Sequence, residues 1–234
     1  MAVGFAKWGV EMLIDQLRIG SKKSYDDFEA SVKERKIGFP EKKTVKDTVP
    51  FSNVTYDFSK INGELYWGER KLEYIFEIDA DTPEELEQKK IAFNTWIMNV
   101  FDEELHDPFI EDYHFNATFD SIDFDDSEVE KTTITVTFSA YPFMIANTKK
   151  VYTFTFPTGS AATFKIENKS SHKITPILIA SGPVTFDYGG KTYSINAGEY
   201  SSSSFKLETG LSDFIIQPAS TGGTLRIEFF GEVF

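Results

Sequence analysis

Cysteine is absent from this 234-residue sequence, which removes disulfides, thiolate metal sites and cysteine nucleophiles together. The fold must therefore rest on packing and hydrogen bonds, and nothing in it requires an oxidising compartment. Histidine is scarce, with His106, His114 and His172 making up the whole set. Catalysis near neutral pH most often recruits histidine as a tunable base. None of the three sits in a catalytic pattern, and His106, in an acidic stretch, reads as a loop histidine. No Gly-x-Ser-x-Gly elbow, His-Glu-x-x-His pair or Gly-x-x-x-x-Gly-Lys loop occurs, so the signatures of serine hydrolases, zincins and P-loop enzymes are missing. The run from Ser201 to Ser204 reads as a polar loop. Long apolar stretches are also lacking: none reaches the roughly 18 residues of a membrane-spanning helix. Glu11 and Asp15 interrupt the opening segment and no small-residue cleavage site follows, so no signal peptide is expected.

Aromatic and β-branched residues are abundant. The 23 Phe and 10 Tyr, with plentiful Ile, Val and Thr, favour strands, because such side chains pack well on a pleated surface. Negative charge is the second excess. The net charge is −13, and residues 1–143 carry 16 Lys and Arg against 30 Asp and Glu, while residues 144–234 carry 8 against 7. The acidity thus belongs to the first part of the chain. A surface of that sign repels phosphate backbones and argues against sequence-specific nucleic-acid binding.

The pattern of elements follows this division. Between Pro40 and Pro50 a lysine-rich segment reads as an exposed loop or edge strand. Leu72, Tyr74, Phe76 and Ile78 alternate within Glu69 to Asp79, which predicts a half-buried strand. At Thr82-Pro83-Glu84-Glu85, a capping threonine, a proline suited to the first helical position and a glutamate able to complete a capping box predict a helix start. The helix is expected from about Pro83 to Phe101, with Leu86, Phe93, Ile97, Val100 and Phe101 on its apolar stripe. Tyr113 to Phe119 and Thr132 to Phe138 read as further strands around an Asp-rich turn. From Val151 onward eight short strands are expected: Val151 to Phe156, Ala162 to Glu167, Ile174 to Ala180, Val184 to Tyr188, Lys191 to Ile195, Ser204 to Leu207, Phe214 to Gln217 and Thr224 to Phe230. Tight hairpins are expected at Gly189-Gly190 and Gly222-Gly223. Many short strands without a helix predict a β-sandwich. The change of charge and of strand spacing between Phe143 and Val151 places a domain boundary there, giving domains 1–145 and 146–234.

Between Asp102 and Glu130 stand 12 carboxylates and no Lys or Arg. Paired carboxylates can hydrolyse glycosides or bind calcium through several oxygens. Asp120, Asp123, Asp125 and Asp126 are the candidate metal ligands, although no twelve-residue calcium loop with its central glycine is present. The plainer reading is a solvated or interface-facing acidic surface. No catalytic residue and no cofactor site is expected.

Taken in order, several motifs carry a resemblance. Pro40-Glu41-Lys42-Lys43, Val49-Pro50, Tyr56-Asp57-Phe58-Ser59, Tyr66 with Glu69-Arg70, the helix, and Phe138-Ser139-Ala140-Tyr141-Pro142-Phe143 form a series that resembles the N-terminal domain of siphophage-type distal tail (Dit) proteins. Asp213-Phe214-Ile215-Ile216-Gln217-Pro218 and Thr224-Leu225-Arg226-Ile227-Glu228-Phe229-Phe230-Gly231 are similar to the end of that family's second domain. Two positions depart from the pattern. Phe51-Ser52-Asn53 replaces a Gly-rich turn, and Ala140 stands where cysteine is common.

The resemblance implies a mainly β chain: an α+β belt domain with one main helix that forms a hexameric ring, then a galectin-like β-sandwich. It implies a structural hub at the virion tail tip, made in the host cytoplasm, with no enzymatic activity and no membrane contact. The implied partners are further copies of the chain, in one ring or stacked rings, a tail-tube protein, a tail-associated or tail-fibre protein, and a receptor-binding protein. Expected ring-interface or channel residues are Lys42, Lys43, Lys46, Asp102, Glu103, Glu104, Asp123, Asp125 and Asp126. The acids would line or border a channel through which DNA passes without adhering. A second reading, from a different class, is a carbohydrate-binding module acting through the C-terminal sandwich. Such sites stack an aromatic ring on the sugar. Trp8, Trp67 and Trp96 all fall outside that half of the sequence, which leaves Tyr188, Tyr193 and Tyr200 as substitutes.

Overall fold

A computed structural model describes residues 15–48, 51, 53–60, 63–125, 128–219 and 221–234. The chain opens with β1 (Arg18–Ile19), β2 (Lys22–Lys23), α1 (Ser24–Phe28) and β3 (Ser31–Ile37). An exposed pair follows, β4 (Lys46–Thr48) and β5 (Thr55–Asp57), then β6 (Arg70–Asp79), α2 (Pro83–Ile97), β7 (Glu103–His106), β8 (Tyr113–Asp125) and β9 (Lys131–Ala140). The remainder is entirely strand: β10 (Met144–Phe156), β11 (Ala162–Asn168), β12 (Ile177–Ala180), β13 (Val184–Tyr188), β14 (Lys191–Ile195), β15 (Gly198–Tyr200), β16 (Gly210–Ile216) and β17 (Gly223–Val233). The chain is mainly β with one long helix, as its composition implies.

The residues gather into two compact units that are not consecutive halves. The first comprises 1–38, 69–111 and 117–140, and the second 39–68, 112–116 and 141–234. The division expected at 145/146 thus falls near one of the observed breaks, but residues 39–68 group with the C-terminal strands. Charge marks only its far end: residues 39–68 carry 4 Lys against 4 Asp and Glu, whereas residues 69–143 carry 5 Lys and Arg against 20.

In the first unit β3, β6, β9 and the second part of β8 form an antiparallel sheet. The alternation read in β6 is realised: Leu72, Tyr74, Phe76 and Ile78 are all fully buried. Helix α2 covers this face, with the Phe93 ring 5.1 Å from Phe76 and Phe28 stacked on Trp96 at 4.6 Å. Thr82 caps it by accepting the Glu85 N–H at 3.2 Å. The Glu85 carboxylate accepts the N–H of Asp81 rather than that of Thr82, so the box closes one residue early. The helix stops at Ile97, short of Phe101. Val100 is buried and accepts the Phe119 N–H, whereas Phe101 is 78% exposed and Asp102 takes a left-handed backbone. The chain is then turning toward β7, and the apolar stripe ends with the helix.

Two further expectations are corrected. The Asp-rich segment after Phe119 is not a turn but the outer half of β8, paired with β9 as far as Asp125. Threonine-rich β9 supplies a complete partner ladder there, and pairing overrides the low strand propensity of aspartate. In the second unit, Ser204 to Leu207 contributes only a bridge from Leu207 to Ile174, and Gly198–Tyr200 is the strand beside β12.

The second unit is a sandwich. One sheet runs β15-β12-β17-β10 and the other β11-β16-β13-β14. Its core is an aromatic stack: Phe186 lies 4.4 Å from Phe214, and Phe154 4.4 Å from Phe164. Gly189 and Gly190, both at positive φ, make the expected two-residue turn between β13 and β14. Gly222 and Gly223 do not, because β16 and β17 belong to different sheets. A Cβ on Gly223 would meet the Phe156 ring at 2.9 Å and the Ser181 hydroxyl at 2.8 Å. These glycines permit close approach rather than a reversal of the chain.

Candidate functional site

The acidic residues singled out from the sequence are spread along two strands of the first unit. Asp102 precedes β7, and Glu103 and Glu104 are exposed upon it, with Glu104 3.3 Å from His106. Asp120 lies at the register shift of β8, and Asp123 and Asp125 follow on one exposed face, opposite Thr135 and Thr133. Alternate residues of a strand stand roughly 6.5–7 Å apart. The carboxylates therefore form a row along one strand, not a cage around a point, and Asp126 lies outside the described residues. As a row they present negative charge to solvent or to a neighbouring molecule.

Asp107 is different. Its buried carboxylate accepts from Arg35 at 2.6 Å, from the Tyr74 hydroxyl at 2.8 Å and from the Phe109 N–H at 2.8 Å, while the Arg35 guanidinium lies over the Phe109 ring. Burial, then the charge of Asp107, pushes the Tyr74 hydroxyl well above its ordinary pKa. This network ties the segment after β7 to β3 and β6 and acts as structure. At the other end of β6, Glu77 pairs with Lys33 at 2.5 Å and with Lys131. Burial would raise its carboxyl, but the two lysines outweigh it and hold the group below the usual carboxylate range.

The expected interface lysines lie in the segment 39–68. All three are exposed: Lys42 bridges Trp67, the Lys43 N–H donates to the Tyr66 carbonyl, and Lys46 pairs with Asp57 across the β4–β5 ladder. Hydrogen bonds from Ser59 hold Asp57 below its ordinary pKa, helped by the charges of Lys42 and Lys46. These lysines thus already act on an acid of their own chain. Large apolar side chains accompany them in solvent, with Phe39 81% and Phe51 110% exposed and Tyr56 and Phe58 partly so. Phe51 also has φ of 66°, a conformation costing roughly 1–2 kcal/mol for a residue with a Cβ. It stands where the resembled family carries a Gly-rich turn.

The segment ends in a feature the sequence reading missed. Trp67 packs edge-on against Phe234 at 4.7 Å, Phe234 lies 5.0 Å from Phe143, and Phe143 stacks on His172 at 3.9 Å. His172 is 3.1 Å from Glu232, which also accepts the Tyr141 hydroxyl at 3.0 Å. Burial, then the Glu232 charge, raises the pKa of that hydroxyl. Together these groups line a groove of about 780 Å³ within the second unit. The three tyrosines that could substitute in a sugar site lie elsewhere than this groove, Tyr188 and Tyr193 lining a smaller neighbouring pocket. Tyr188 is buried in the sandwich core, and Tyr193 and Tyr200 pack against that core.

No protein-family model and no curated protein matches the sequence. Among solved structures, the fold is similar to that of the Dit protein (gp 19.1) of SPP1, described as a paradigm of the hub adsorption apparatus in phages infecting Gram-positive hosts. The TM-score is 0.68 at 12% identity, over 93% of this chain and 99% of that one. The phage P2 baseplate in its activated conformation with Ca is matched with a TM-score of 0.41 at 9% identity, over 89% of this chain and 100% of that one. The SPP1 likeness spans both units, so the fold is shared along nearly the whole chain.

Proposed function

We propose that this chain is a structural hub of a phage tail tip, in which six copies close a ring that joins the tail tube to the fibre and receptor-binding assembly. The observation that carries this reading is the shared fold, which extends over nearly the full length of both this chain and a hub protein. In this reading residues 1–145 supply the ring-forming part and residues 146–234 the projecting sandwich. The exposed aromatics of the segment 39–68 support self-association, since large apolar groups in solvent mark surfaces that a neighbour covers. Asp102, Glu103, Glu104, Asp123 and Asp125 border the channel and Lys42, Lys43 and Lys46 face acids across the subunit contact; Asp126 is assigned to the same border from sequence alone.

A hub must let DNA pass, and DNA carries about one negative charge per 1.7 Å of axis. An acidic wall repels it, and screening over about 8 Å confines the repulsion to the lining. The same charges oppose assembly, so the ring should strengthen with salt. Sedimentation at low and high ionic strength, alone and with tail-tube protein, tests this: a hexamer favoured by salt is expected. A monomer under every condition would remove the ring, and a ring with a basic lumen would remove only the charge argument. The second reading, a carbohydrate-binding module, is favoured by the groove beside Trp67.

A further inference from the structure

We infer that the groove lined by Tyr66, Trp67, Tyr141, Phe143, His172 and Phe234 is a binding site for a neutral oligosaccharide, a conclusion that rests on the groove alone and not on the ring. Its volume of about 780 Å³ lies within the roughly 300–1,000 Å³ typical of ligand sites. Its floor is aromatic, built from Trp67, Phe143 and Phe234. Tyr66 and Tyr141 stand higher and remain 48% and 40% exposed, so ring surface is available to the C–H faces of a sugar.

The rim decides the ligand class. Lys206 donates to Glu64 at 2.6 Å, and Lys173 pairs at 2.8 Å with Glu208, which adjoins the groove next to Thr209 on its lining. Each pair sets an ammonium donor beside a carboxylate acceptor, which matches vicinal hydroxyls that both give and take hydrogen bonds. Lys60 and Glu232 also lie on the lining, so Lys60, Lys173 and Lys206 are matched by Glu64, Glu232 and the adjoining Glu208, and neither an anionic polymer nor a cation is specifically attracted. A protein partner closing over the groove would have to bury these pairs, at a desolvation cost that apolar contact does not return. Sugar hydroxyls replace the water they displace and leave the pairs solvated. A lipid would gain from the floor but not from such a rim.

The sequence order hides this site. Its aromatic platform comes from a tryptophan in the first third of the chain and from rings around residues 141–143 and 234, and only the fold brings them together.

The test uses the full chain and a panel of maltohexaose, cellohexaose, chitohexaose and β-1,4-galactohexaose, read by tryptophan fluorescence and by saturation transfer to the sugar. Saturable binding of at least one member is expected. Tyr66→Ala and Glu64→Gln should each weaken it, Tyr66→Ala by about tenfold, while Tyr56→Ala, at an exposed ring outside the groove, should leave it unchanged. If Tyr66→Ala alters the circular dichroism, Glu64→Gln decides alone, since it removes only a rim carboxylate. Failure of every oligosaccharide to bind overturns the ligand class, and binding untouched by both groove variants overturns the site.

Discussion

The two units solve the problem of folding without disulfides in different ways. The first joins a sheet and a helix through an apolar face but adds buried and half-buried ionic ties, Arg35–Tyr74–Asp107 and Lys33–Glu77–Lys131. The second relies chiefly on stacked phenylalanines between two sheets and keeps its one buried carboxylate among the described residues of that sandwich, Glu228, between Lys149 and Arg226. The difference teaches where acidity can be tolerated. A unit that keeps a row of carboxylates on its surface has cationic partners at selected acids and leaves the rest in water, where their repulsion is screened.

The sharpest challenge to this comparison is excision. Every member of the sandwich core cluster, and every residue packed on it, lies between Tyr152 and Phe229. A fragment beginning at Thr148 should therefore give a folded β spectrum by circular dichroism, although it loses the segment 39–68 and the Trp67 contact. An unfolded fragment would show that the sandwich core needs residues 39–68, 112–116 or 141–147, the parts of its own unit that the fragment lacks.

Next in size are the core aromatics. Phe93 and Phe214 are both fully buried, so either substitution by alanine should cost roughly 3–5 kcal/mol. Because α2 belongs to the first unit, Phe93→Ala should shift the helical signal at 222 nm more than Phe214→Ala does. Equal shifts would mean that the units melt together.

The ionic ties predict a pH dependence in the first unit, beside that of Tyr141 and Glu228 in the second. The Tyr74 hydroxyl has its folded pKa raised above the ordinary 10.0. Its contribution is complete below that value and is lost as pH rises beyond it, since the unfolded chain releases the proton first. Melting temperature should therefore fall above about pH 10, and Tyr74→Phe should flatten part of the fall; an unchanged alkaline profile would deny Tyr74 this part. Glu77 has the opposite sense, with stability present at neutral pH and lost as acid reaches its depressed pKa.

Smaller effects test local readings. Thr82→Ala should cost about 1 kcal/mol by removing the helix cap, measured by urea denaturation. Phe51→Gly should change the monomer by under about 1 kcal/mol and in the stabilising direction, because glycine accepts positive φ without strain. If Phe51 serves a subunit contact, the same variant should associate less readily in sedimentation. A more stable chain that assembles as before would leave the exposed ring without that role.

Much of this was legible in the sequence. Period-two alternation located β6 and β9, the Thr82-Pro83 start located α2, and Gly189-Gly190 located a hairpin, because each signal is local. What escaped depends on partners distant in the chain. Asp120, Asp123 and Asp125 look like a turn until Thr133, Thr135 and Thr137 are laid beside them. Gly222-Gly223 imitates a hairpin until Phe156 arrives. Trp67 is remote from the sandwich by sequence position alone, yet it packs against Phe234, which in turn meets Phe143, in the fold's second unit. The row of acids could be listed from the sequence, but the groove could not.

The scattered make-up of the second unit bears on how the chain emerges from the ribosome. The segment 39–68 is synthesised more than 150 residues before β17, which pairs with β10 and β12 and ends beside the ring that Trp67 meets. Throughout translation the first unit can complete its sheet, whereas Trp67 has nothing to dock against and Phe51, Tyr56 and Phe58 are in water. Contacts of such separation close slowly and expose apolar surface while they wait. A nascent chain paused before Gly223 should therefore be the species most prone to aggregate or to engage a chaperone.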